Sequence, residues 1–282
     1  DCSSRGLGDV YKRQIFTYWK MKISFEKYHG CGNDFIIINN LSKTLPNLTK
    51  DIIKQLCNRK FGIGADGLII VNESSEYPFK MTYYNSDGNI STMCGNGGRC
   101  VVHHCYSQKI VGENSDFIAC DGVHSSVVNG NFVKISMNNV SEYKVVDENI
   151  FIDTGSPHLV IRKNKLNDID IIPASREIQK TKLFKNEGVN VNFLSIINEN
   201  IVNLRTYERG VENETLSCGT GAVAAALSTS IFLKSKSQKV IVKTKGGDLI
   251  VDFKHDNNNF YDIYLSGEVE KVFSGIYNYE EN

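Results

Sequence analysis

The sequence predicts an α+β protein made of two pseudo-symmetric halves, each a strand-rich sheet around a central helix. Three observations carry this expectation. A Cys-Gly-x-Gly turn occurs twice: Cys94-Gly95-Asn96-Gly97 returns 124 positions on (218 − 94) as Cys218-Gly219-Thr220-Gly221. Other segments recur at nearly the same spacing. Gly32-Asn33-Asp34-Phe35 with Ile36 to Ile38 behind it returns 123 positions on (155 − 32) as Gly155-Ser156-Pro157-His158 with Leu159 to Ile161, and Tyr83-Tyr84-Asn85 precedes Tyr207-Glu208-Arg209 by 124 (207 − 83). Short strand patterns separated by Gly and Asn turns surround apolar runs that directly follow the cysteine turns. The halves are expected to cover residues 21–140 and 141–282, joined near Asn138-Asn139-Val140-Ser141-Glu142. The last strand is a candidate to return to the N-terminal half.

In chain order, Ser24 to Tyr28 and Phe35 to Asn39 read as strands, and Lys50 to Asn58 has helical spacing. Gly62-Ile63-Gly64-Ala65-Asp66-Gly67 superficially resembles a dinucleotide fingerprint. It lacks the ordered strand and helix around it and the later acidic residue, and reads better as a tight turn. Strands are expected at Leu68 to Val71 and Phe79 to Tyr84. Gly98 to Ser107 is apolar and free of breakers, which predicts a helix. Phe117 to Ala119, Ser125 to Val128 and Phe132 to Met137 form a meander pattern. The second half repeats the plan, with strands at Phe151 to Asp153, His158 to Ile161, Asn190 to Ile196 and Ile201 to Thr206. Ala222 to Phe232 is apolar on every side and predicts a buried helix. Lys239 to Thr244, Leu249 to Phe253 and Tyr261 to Ser266 complete the sheet.

The 282 residues carry 32 Lys+Arg and 32 Asp+Glu, so the basic excess of a nucleic-acid binder is missing. No apolar run reaches the roughly 20 residues that cross a bilayer, so no membrane association is expected. Eight cysteines without a CxxC pair argue against a zinc site, and a chain of this length does not need disulfides for a core. A reduced, cytoplasmic protein is expected. His103-His104-Cys105 are adjacent on one helix, where neighbours point about 100° apart and chelate poorly. Residues 1–20 include Asp9 to Gln14 (DVYKRQ), which resembles a sequencing-adapter reading frame. They are expected to be a non-native extension, with the native start at Met21.

The duplicated turn defines the chemistry. A cysteine just ahead of a helix has its thiolate favoured by unpaired N–H groups and the helix dipole. The glycines let backbone amides approach an anion. Two such turns facing each other suit inversion of an α-carbon, which requires acid–base groups on opposite faces of one carbon. Developing enolate charge would rest on the amides of Gly95, Asn96, Gly219 and Thr220. Cys94 and Cys218 are therefore the candidate catalytic pair, without cofactor or metal. Cys31, Cys57, Cys100, Cys105 and Cys120 lack the flanking glycines and read as ordinary thiols.

Several blocks resemble the diaminopimelate epimerase family in order and spacing: His29-Gly30-Cys31-Gly32-Asn33-Asp34-Phe35, Phe61 to Gly67, Asn85-Ser86-Asp87-Gly88, Met93 to Cys100, Gly155 to His158, Val189-Asn190-Val191, Tyr207 to Gly210 and Cys218 to Gly221. The likeness runs from about Met21 to the C-terminus. It implies the family's fold and the interconversion of LL- and meso-diaminopimelate, a step of lysine and peptidoglycan synthesis. It also implies His158 and Glu208 as residues tuning the thiols, and a homodimer. Asn33, Asn85, Ser156, Asn190, Glu208 and Arg209 match substrate-holding positions, and an arginine suits bidentate carboxylate recognition. Two departures stand out: Gly67 and Ser156 occupy positions where many members have Gln and Asn. Other readings differ in chemistry. A proline racemase carries a histidine inside the first cysteine turn, where Asn96 stands. A phenazine-type isomerase lacks the cysteine pair, and a ligand-binding relative on the same fold would need neither thiol.

Overall fold

The computed structural model describes residues 20–256 and 259–280. Residues 1–19 of the expected extension lie outside the described residues; Lys20 opens the first strand. The first half contains β1 (Lys20–Gly30), β2 (Asn33–Asn39), α1 (Lys50–Cys57), β3 (Gly67–Asn72), β4 (Lys80–Asn85), α2 (Gly95–Ser107), β5 (Asn114–Ala119), β6 (Gly122–Asn129) and β7 (Phe132–Ser136). There follow β8 (Tyr143–Val146), β9 (Asn149–Asp153), β10 (Pro157–Arg162), α3 (Ile171–Gln179), β11 (Asn190–Asn198), β12 (Ile201–Glu208), β13 (Asn213–Thr215), α4 (Gly219–Leu233), β14 (Lys239–Thr244), β15 (Gly247–Asp256) and β16 (Asn259–Glu280).

The pairing repeats along with the sequence. Parallel pairs β2–β3 and β4–β5 of the first half correspond to β10–β11 and β12–β14 of the second. The long β16 links the two: its first part pairs with β15 on one edge and β7 on the other, and its later part pairs with β1 from Val269 to Glu280. Since β1 to β7 are neighbours in order, β16 closes them into a ring. Closure removes a free edge that could recruit other chains.

The cysteine-turn helices sit in the core. Every residue of α4 from Gly219 to Ser230 is buried, as its uniformly apolar face predicted. On α2, ten residues from Gly95 to Cys105 are buried, including Arg99. Val101, Val102 and Ala222 to Leu227 share one apolar cluster with Phe35, Leu249 and Leu265. By contrast, α1 and α3 cover separate clusters on the outside of the sheet.

Four elements depart from the sequence reading. Helix α3 was not anticipated, because Pro173 interrupts a strand-like Ile-rich run. It falls in the first helical turn, where a missing N–H matters little. β8 and β13 are too short for a pattern. β16 runs on to Glu280 rather than ending at Ser266. The glycine after Ser266 looks like a break but serves a close approach, since a Cβ on Gly267 would lie 2.8 Å from Leu249.

Candidate functional site

Cys94 and Cys218 are the N-cap residues of α2 and α4, both in extended backbone. The two helix starts touch. A Cβ built on Gly219 would lie 3.1 Å from the Gly95 Cα and 3.2 Å from the Asn96 nitrogen; one built on Gly95 would strike Leu265 at 2.6 Å. A side chain at either position crowds this contact, so the repeat glycines let the two N–H-rich helix ends come together.

On the first side, the Cys94 Sγ donates to Asn33 Oδ1 at 3.7 Å. Asn96, fully buried, donates from Nδ2 to the same Asn33 oxygen (3.3 Å) and to Ser217 Oγ (3.0 Å), reaching the residue before the second cysteine. Its Oδ1 accepts from Arg99 (2.9 Å), which fixes the amide orientation. Asn33 Nδ2 donates to Asp66, which is also bound by Arg59. Burial pushes the Cys94 thiol up to about 11; the amides of Gly97 and Asn96 oppose the rise and the Glu208 carboxylate adds to it. The helix-end donors thus act as the sequence suggested, but desolvation outweighs them.

On the second side, the Cys218 Sγ accepts from the Gly221 amide at 3.4 Å and lies 3.5 Å from Thr220 Oγ1. Its thiol is held well above the ordinary value, first by burial and then by the Glu208 carboxylate. Glu208 Oε1 accepts from Thr215 Oγ1 at 2.5 Å. Burial raises Glu208 as well, favouring its protonated form. His158 is fully buried and does not bond either sulfur. Its Nε2 lies 2.9 Å from Thr220 Oγ1, placing it behind the Cys218 turn.

The remaining predicted residues sit at the ends of four strands, β4, β10, β11 and β12. Asn85 closes β4 and is exposed; Ser156 is half-buried just before β10. Asn190 opens β11 and accepts the Arg209 amide at 3.0 Å. Arg209 donates to the Glu187 carbonyl and not to Glu208, so the adjacent acid and base stay separately available. Gly67 has no room for a side chain: a Cβ there would lie 2.4 Å from the Tyr83 ring, which fills that space. Sequence reasoning missed Asn192, Thr206, Arg99 and Ser217. A signal existed for Asn192, which follows Asn190 by two in an apolar strand and so shares its face. Among the described residues, no cluster of three His, Cys, Asp or Glu is arranged for a metal ion, and no helix is long and apolar enough to cross a membrane.

The His158 environment has a consequence for stability. Burial, then the Arg209 charge, lowers it from 6.5 to about 3, so the folded protein keeps it neutral. The unfolded chain binds that proton below pH 6.5. The contribution is therefore complete above 6.5 and is lost as pH falls towards about 3. At pH 4.5 the loss is about 2–3 kcal/mol. Urea unfolding between pH 7 and 4.5 checks this: His158→Gln should flatten the decline, and an unchanged slope would refute it.

The family model described as diaminopimelate epimerase matches residues 25–140 and 150–272. The diaminopimelate epimerase of Flavobacterium psychrophilum is 44% identical over 88% of this chain and 97% of its own. That of Aquifex aeolicus is 36% identical over 90% and 97%. Among solved structures, a hydroxyproline epimerase from Agrobacterium vitis superposes with a TM-score of 0.69 at 11% identity, covering 94% of each chain. A PhzF-family phenazine biosynthesis protein from Bacillus anthracis gives 0.68 at 14%, covering 91% and 99%. At such identities these two share the fold.

Proposed function

The chain belongs to the diaminopimelate epimerase family, and on that premise we propose that it interconverts LL- and meso-diaminopimelate by proton exchange with Cys94 and Cys218. The observation that carries this is the contact of two cysteine-capped helix starts through Gly95 and Gly219. One thiol, as thiolate, removes the α-proton; the other returns a proton to the opposite face, and the roles exchange with direction. Burial pushes both thiols up, Cys94 to about 11, so each holds its proton at rest and suits the donor role in one direction. Glu208, whose charge acts on the Cys218 thiol, is assigned to take its proton, and burial raises the affinity of Glu208 for one. The amides of Gly95, Asn96, Gly219 and Thr220 offer donors for the reacting carboxylate. Asn33, Asn85, Ser156, Asn190 and Arg209 are assigned to hold the substrate, the distal amino-acid group included. His158 tunes Cys218 through Thr220.

On this reading the halves 21–140 and 141–282, sharing β16, enclose the substrate. The enzyme uses no cofactor, and its free thiols suit the cytoplasm. A homodimer is assigned on the family likeness, with the exposed apolar side chains Val272, Phe273 and Ile276 of β16 as its candidate contacts. Light scattering should give about twice 31.6 kDa, and a monomer would refute that assignment. The activity test incubates purified protein with LL-diaminopimelate, and separately with L-proline, in deuterated water. Formation of the meso isomer carrying α-deuterium is expected, with L-proline unchanged. Racemisation of proline, or no turnover of diaminopimelate, would overturn the reading.

A further inference from the structure

Behind Cys218 runs a buried line of hydrogen bonds in which each proton position follows from the last. Asn192 is fully buried on β11. Its Nδ2 lies 3.2 Å from the Asn190 carbonyl and 3.5 Å from that of Leu159, so the NH2 group faces that side. A flipped amide would set its oxygen against two carbonyl oxygens. Oδ1 then accepts from the Thr206 hydroxyl at 2.9 Å on the neighbouring strand. The Asn192 NH2 also lies 2.9 Å from His158 Nδ1. A donor there requires the lone pair on Nδ1, so the imidazole proton resides on Nε2. That N–H donates to Thr220 Oγ1 at 2.9 Å. With one lone pair of Thr220 taken by His158, its own O–H is directed to the Cys218 sulfur at 3.5 Å.

We infer that Asn192, with Thr206 behind it, is a positioning residue for the reaction: it locks the His158 tautomer and thereby makes the Thr220 hydroxyl a fixed donor to Cys218. This rests on the reading of Cys218 as a catalytic thiol. The opposite tautomer would leave Nε2 as an acceptor, and the Thr220 hydroxyl would turn from sulfur to imidazole. The thiolate would then lose one of its two donors on this side, the Gly221 amide remaining. The charged and titratable groups around the line are few. Cys218 faces the carboxylate of Glu208 and the Cys94 thiol, while His158 faces the guanidinium of Arg209. Neither Asn192 nor Thr206 titrates, so each can be replaced without adding or removing a charge.

The line leaves His158 no role as a base beside the sulfur. As a base beside the sulfur it would need a free lone pair aimed at Sγ. Here its lone pair faces Asn192 and its proton faces Thr220. It therefore acts as a neutral donor, in keeping with its burial.

The test reads thiol ionisation directly, in the full-length protein. The rate of iodoacetamide modification at Cys218 is followed against pH by mass spectrometry of its peptide, for the unsubstituted protein and for Asn192→Leu, Thr220→Val and Thr220→Ser. A hydrogen bond to a charged group sets the scale: the midpoint should rise by about one pH unit, ~10-fold less thiolate, in Asn192→Leu and Thr220→Val. Thr220→Ser keeps the hydroxyl and should retain the original midpoint. Imidazole nitrogen NMR should show Nε2–H for His158 in the unsubstituted protein and a tautomer mixture in Asn192→Leu. An Nδ1–H tautomer in the unsubstituted protein, or equal midpoints in the unsubstituted protein and Thr220→Val, would overturn the inference. If Asn192→Leu does not fold, the Thr220 pair and the NMR measurement still decide it. Absence of diaminopimelate turnover in the unsubstituted protein would instead count against the reading on which this rests.

Discussion

Cys94→Ala and Cys218→Ala should each lower full epimerisation by 10²- to 10⁴-fold, the loss expected when a positioned acid or base is removed. The two defects should differ in kind. Each mutant keeps one thiol, on one side of the α-carbon, and so can still remove a proton from that side. One should therefore exchange the α-hydrogen of the LL substrate with deuterated solvent, the other that of the D centre of the meso form, with little inversion in either. The surroundings add a second distinction. Cys218→Ala leaves the Thr220 hydroxyl and the Gly221 amide without the sulfur they meet, whereas Cys94→Ala leaves Asn33 still bonded by Asn96. A serine at either position fits the space but ionises poorly, and should recover a trace of activity at most. Near-normal inversion by either alanine variant would rule out the two-thiol mechanism.

The parts of this arrangement that were legible in the sequence are those that repeat. The two CGxG turns and the strand blocks ahead of them recur at nearly the same spacing because each half builds the same pairing, with parallel β2–β3 matched by parallel β10–β11. The uniformly apolar Ala222 to Phe232 announces a helix enclosed on all sides, because a helix with one wet face would alternate. The hidden parts depend on contacts between distant segments. Nothing local says that Arg99 would be fully buried to hold Asn96, or that Asn96 would bridge to Ser217, 121 positions away (217 − 96). Similarly, Asn192 meets His158 only once β10 and β11 pair in parallel. The pH behaviour of the thiols was inverted by the same gap. The helix ends were visible in sequence, but the burial that outweighs them was not.

Gly219→Val should cost activity by about 10²-fold or more with both cysteines and Glu208 unsubstituted. The glycine is the first residue of α4, and its missing side chain is what lets α4 meet α2. Even a single Cβ would sit 3.1 Å from the Gly95 Cα, 3.1 Å from Leu265 and 3.2 Å from the Asn96 nitrogen. Two of those three neighbours are backbone, which cannot rotate away. The helix starts must separate, and with them the two sulfurs proposed to serve one carbon. Misplacement by about 1 Å is enough to lower a rate 10²-fold. Overpacking adds about 1–3 kcal/mol of destabilisation, so the measurement must separate the two effects. Turnover per folded molecule at saturating substrate, with folding followed by circular dichroism, does so. Gly112→Val is the control: that position is exposed, and a Cβ there meets nothing closer than 4.0 Å. It should leave turnover unchanged. A folded Gly219→Val enzyme turning over like the control would mean that the contact of the two helix starts does not set the geometry of the reaction.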